Sequence, residues 1–266
     1  MADYKELIKD TNDIADDKLL DYFEDFFRAE NFSNYSSIET ATGKQAEALA
    51  TLFKEEEELS DRVAAALALD PFCIEALFID LCLAPPVYIY RNFNDLFVRR
   101  EQYAAFDQRQ KSCFLAAMVM FVDFLFEIAN IHKALKVLEA YCQAVGEYSD
   151  NSLIRFGYLY TSLEDAESFL KMYHDFEFRE PVLYILLLVV LLKNERQTEA
   201  QELYQDFVEV FPYAKSLGNI YELDGNNDEG AMRIAAAYDA CEGIVASLPY
   251  FAEWCRLNQV QQKSFA

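Results

Sequence analysis

Two histidines, His132 and His174, are the only imidazoles in a chain of 266 residues. An imidazole base works on a nucleophile held beside it, and neither histidine has a Ser or Cys arrangement nearby that a nucleophile would require. His132 falls in an expected hairpin turn and His174 within an amphipathic helix, where solvated or packing roles suit them better. Six cysteines, Cys73, Cys82, Cys113, Cys142, Cys241 and Cys255, lie far apart among mostly apolar neighbours, with no CxxC pair. Structural zinc needs clustered thiolate and imidazole ligands, so these read as small buried hydrophobes in a reducing compartment.

The loop from Asp224 to Gly230 places oxygen ligands at positions one, three and five, as a calcium loop of the EF-hand type begins. The rest departs from that pattern: Glu229 stands where the turn glycine belongs, and Ala235 where a bidentate Glu belongs. A polar turn with Asp228 near the N-cap of the next helix fits better. Carboxylates number 46, so closeness in sequence says nothing about general acid–base pairs. No glycine-rich phosphate loop occurs. The expectation is therefore no catalytic, cofactor or metal site.

Charge bounds the partners. Against the 46 acids stand 23 Lys and Arg, a net charge of −23, which repels phosphate backbones and anionic head groups. Nucleic acid and membrane are excluded as expected partners. The first sixty residues hold sixteen acids and six bases, with the run Glu55-Glu56-Glu57-Glu58. That run reads as a solvated helix face, or as a patch steering a basic partner. The N-terminal residues carry neither a basic nor an apolar leader segment, so a cytoplasmic protein is expected.

The elements that position these residues are helices. Apolar residues make up 53% of the chain, with 22 Phe and 17 Tyr, which suffices for a core. Seven Gly and six Pro are too few for the many turns of an all-β fold. Leu19, Leu20, Tyr22, Phe23, Phe26 and Phe27 give the segment from Tyr4 to Glu30 helical spacing, followed by a polar stretch from Asn31 to Gly43. Cys113 to Ile131 and Val182 to Leu192 are the two most apolar runs. The first carries Asp123 and Glu127 on one face, and the second, at eleven residues, is too short to cross a bilayer. Pro85-Pro86 is expected to break helical structure in a turn or small irregular insertion.

Self-similarity organises the second half. Ala134, Ala166 and Ala200 are 32 and then 34 residues apart. Each is followed at +4 by Leu138, Leu170 or Tyr204, and at +7 by Tyr141, Tyr173 or Phe207. These positions form one helical stripe, and the small Ala admits a neighbouring helix. A more apolar helix precedes each: Ser112 to Ile128, Leu153 to Tyr160, and Val182 to Leu192. A helix hairpin recurring at such a period buries its apolar face only by stacking on its neighbours.

On these residues the chain resembles the tetratricopeptide repeat family. Leu153-x2-Phe156-Gly157-x2-Tyr160 follows the first-helix template in the fourth unit, whose turn is about three residues short. In the fifth unit, Tyr184, Leu187 and Leu191 match the first helix, and Ala200, Tyr204 and Pro212 the second. AAALALDP, ending at Pro71, with Glu75-Ala76-Leu77, resembles a junction between repeats. Leu188 departs from the family's usual Gly, and Tyr141, Tyr173 and Phe207 from its small residue, which implies altered packing between helices. The resemblance implies an all-α fold, a right-handed α-solenoid of stacked antiparallel helix hairpins. It divides the chain into N-terminal amphipathic helices and loop (1–43), repeats (44–248, with units near 44–71, 72–106, 111–146, 150–179, 181–212 and 213–248) and a C-terminal capping helix (249–266).

The same correspondence implies a concave groove lined by first helices, with Val119, Asp123, Phe126 and Glu127 from one unit and Ile185, Val189 and Leu192 from another. Because Val182 to Leu192 is apolar all round, either the stack closes over it or an apolar segment occupies the groove. The basic groove residues of the family's carboxylate-clamp members are absent from the aligned positions. The function implied is an adaptor or chaperone-like module that binds a protein or peptide, basic or amphipathic in character. The alternative is a self-associating repeat protein, a homodimer whose groove is filled by its own copy.

Overall fold

The structure is a computed structural model that describes residues 43–52, 58–70, 73–83, 86–98, 100, 104, 108–223 and 225–263. The amphipathic segment expected over Tyr4 to Glu30, the polar stretch from Asn31, and Glu55 to Glu57 lie outside the described residues. Among the described residues every regular element is helical, with no strand. None of these helices is long and apolar enough to cross a membrane. The chain forms two compact units that divide after Gly146, at the boundary between two of the expected repeats. Gly146 holds a left-handed backbone conformation at φ 83° and C-caps the last helix of the first unit.

The first unit contains α1 (Gly43–Leu52), α2 (Leu59–Leu69), α3 (Ile74–Leu83), α4 (Pro86–Phe97), α5 (Gln108–Glu127) and α6 (Ile131–Val145). Each packs on the next where the helices are consecutive pairs, and α3 also packs on α5. The expected break falls between α3, which ends at Leu83, and α4, which Pro86 begins, and the residues from Val87 to Tyr90 are helical instead of an irregular insertion. A proline at the first helical position gives up a backbone N–H that would have had no partner there, and its fixed φ suits the helix. Phe93 of α4 stacks on Phe121 of α5, ring centroids 5.0 Å apart. Lys133 of α6 donates to Tyr90 Oη at 2.9 Å and Asn94 Oδ1 at 2.6 Å, its ammonium lying over the Tyr90 ring. Arg62 is buried in α2 and donates from Nη1 to the Leu52 carbonyl at the end of α1, a place where the helix dipole favours a cation.

The second unit contains α7 (Asp150–Leu163), α8 (Ala166–Asp175), α9 (Pro181–Lys193), α10 (Gln197–Val210), two 3₁₀ segments (Pro212–Gly218 and Ile220–Leu223), α11 (Glu229–Val245) and α12 (Phe251–Lys263). Its centre is α9, which packs on α7, α8, α10 and α11. Every residue from Leu183 to Leu192 is buried, so the all-round apolar sequence of this helix reflects contact on all sides. The approach of α7 to α9 depends on Gly157. A Cβ there would lie 2.9 Å from Leu183 Cδ2 and 3.1 Å from Phe169 Cζ.

At the start of the expected unit 213–248 the chain makes the two 3₁₀ segments. The longer one packs on α10, α11 and α12. Its Gly218 lies against the α12 backbone, where an added Cβ would sit 3.1 Å from Arg256 N. Phe251, Trp254 and Cys255 form the buried face of α12. The Trp254 indole N–H donates to Gln197 Oε1 at 2.8 Å, and its ring meets Tyr204 edge-on.

Three hairpins close with one turn design. The α5–α6, α7–α8 and α9–α10 turns put Ala129, Glu164 and Glu195 at φ 57°, 53° and 60°. In each turn the left-handed residue's N–H bonds a carbonyl three back, and the next N–H bonds one five back: Ala129 to Phe126 and Asn130 to Leu125, Glu164 to Thr161 and Asp165 to Tyr160, Glu195 to Leu192 and Arg196 to Leu191. This is the Schellman pattern, which satisfies the last carbonyls of a helix. The residue after the left-handed one is in every case the N-cap of the following helix. Ala134, Ala166 and Ala200, which begin the expected stripe, are all buried.

Candidate functional site

The residues expected to line a groove are placed very differently. On α5, Val119 and Phe126 are half-buried, Asp123 is buried at 7% exposure, and Glu127 is exposed near the C-terminal end. They share a stripe, as their spacing requires. On α9, Ile185 and Val189 are 0% exposed and Leu192 is 1% exposed. Neighbouring helices of the same unit occupy the space in which a ligand was expected, so the closed-core alternative describes these three residues.

An open concavity does occur in the second unit, between the second helices α8 and α10. It is a cleft of about 640 Å³ with Leu170, Leu203 and Tyr173 among its lining residues. The α8 wall carries Glu167, Lys171 and His174, and the α10 wall Glu199 and Glu202. These follow the i, i+3, i+4, i+7 spacing of one helix face. At the turn end, Arg196 bridges the walls, donating to Glu167 of α8 and Glu199 of α10. The hydrogen bonds from Arg196 hold the Glu199 carboxyl below the usual carboxylate range.

Tyr173, which lines the cleft, shares a carboxylate with Tyr184. Tyr173 of α8 and Tyr184 of α9 both donate to Asp206 Oδ2, at 2.9 and 3.0 Å. Burial, reinforced by these bonds to Asp206, pushes both phenols above their ordinary range, so they remain donors throughout the physiological range. An aromatic cluster lies behind them. Tyr184 stacks on Phe207 with centroids 4.6 Å apart, and Phe178 meets Tyr173 and Tyr184 edge-on. Successive turns are tied along the same edge by Lys193 Nζ to Glu164 Oε1 and Asn194 Nδ2 to the Glu164 carbonyl, each 3.1 Å.

The cleft lies outside the helices from which groove residues are expected. Its signal was present in the polar residues Glu167, Lys171 and His174 beside Leu170, and in Glu199 and Glu202 beside Leu203. His174 lines the cleft and is exposed, and His132 lies in the first turn of α6, also exposed. Asp228 is the N-cap of α11, accepting from the N–H groups of Gly230 and Ala231. Cys73, Cys142, Cys241 and Cys255 are buried and not in disulfides, and burial pushes Cys241 up to about 12. Among the described residues, no three His, Cys, Asp or Glu side chains are grouped so as to hold a metal ion. Compared with known proteins, the chain matches no family model, no curated sequence and no solved structure.

Proposed function

We propose that the chain is a non-catalytic helical-repeat scaffold, a tetratricopeptide-like right-handed solenoid, whose work is to hold a protein or peptide segment. The observation that carries this reading is the recurrence of one hairpin turn at Ala129, Glu164 and Glu195 with the same backbone bonds. Repetition of a supersecondary unit, with α9 packed on both α7 and α11, is the packing logic of solenoids. Such stacks present extended helix surfaces, which suit recognition of other chains. The net charge of −23 favours a cationic or amphipathic partner over an anionic one.

The test is retention of proteins from native lysate on the immobilised chain, followed by calorimetry with each purified candidate. A partner that saturates at a defined stoichiometry supports the scaffold reading. Retention of nothing beyond the bare support overturns it. Light scattering over a range of concentrations separates the alternative, because a concentration-dependent dimer with no other partner transfers the function to self-association.

A further inference from the structure

We draw no further inference here: the strongest candidate, the buried Arg62 guanidinium between α1 and α2, whose Nε has no hydrogen-bond acceptor among the described residues, carries nothing because residues 53–57, which join these helices, lie outside the described residues and nothing in the structure shows what covers it.

Discussion

Glu164 and Glu195 hold the same left-handed position in successive hairpin turns, at φ 53° and 60°. An L-residue with a Cβ costs roughly 1–2 kcal/mol in that conformation, and the turn tolerates it because the next residue must start a new helix at once. Glu164 has a further role, since its side chain receives Lys193 and its carbonyl Asn194 of the following turn. Glu195 is exposed without such a tie. Glu195→Gly should therefore raise stability by about 0.5–1 kcal/mol, and Glu195→Val should lower it. Urea unfolding measures both, and a destabilised Gly variant would contradict the strain argument.

The central helix gives the largest effects. Leu187→Ala leaves a cavity on a 0% exposed position and should cost about 2–5 kcal/mol. Val189→Asp buries a carboxylate without a partner and should cost more than about 4 kcal/mol, seen as loss of the cooperative transition in circular dichroism. A Val189→Asp chain that unfolds like wild type would mean that this face is open after all.

Two helical glycines should respond in opposite directions. At Gly243, in α11, an added Cβ meets nothing within 4 Å, so Gly243→Ala should stabilise by about 0.5–1 kcal/mol through helix propensity. At Gly157 the approach to Leu183 and Phe169 leaves no room, and Gly157→Val should cost about 1–3 kcal/mol. Thermal melts of the two variants shifting in the same direction would refute the close α7–α9 approach.

The raised phenols fix the alkaline limit. Tyr158, Tyr173 and Tyr184 are pushed above the ordinary value of 10.0, chiefly by burial. A folded-state value above the unfolded one contributes stability that is complete below pH 10 and lost as the pH rises beyond it. Denaturant midpoints should be flat to about pH 10 and fall above it. Ultraviolet titration should show a slow class of tyrosines that ionises only with unfolding. Tyr173→Phe combined with Tyr184→Phe should flatten part of that fall.

Thiol reactivity follows from the same burial. With Cys241 held near 12 and Cys255 also raised, thiolate is scarce at pH 8, and alkylation should run on the order of a thousandfold slower than in the denatured chain. Mass spectrometry after timed iodoacetamide exposure reads this directly. Rapid modification of Cys241 in the folded protein would show that α11 opens easily.

Sequence carried the helical class, the bounds of α9 within a residue or so, the Ala134–Ala166–Ala200 stripe and the N-cap at Asp228, because each is a local pattern of small, apolar or capping residues. It even carried the short α7–α8 turn, since Glu164 stands two residues before Ala166, whereas Ala129 and Glu195 stand five before Ala134 and Ala200. The break at Pro85-Pro86 is legible, but not that helix resumes at Pro86, because a proline that stops one helix also starts another well. The 3₁₀ segment at Pro212 has no local signal of this kind, and it is seen only in its packing against three helices. Ile185, Val189 and Leu192 show why groove residues resist such reading. Periodicity says which face is apolar, while how many neighbours surround a helix is decided by the whole unit.

Trp254 is the chain's one tryptophan, and it sits where the last helix meets α10, its N–H given to Gln197. Emission excited at long wavelength thus comes from a single joint near the end of the chain, while far-ultraviolet ellipticity averages over every helix. Those two signals are separate clocks. The protein carries its own optical reporter of whether the final helix departs before the rest or together with it.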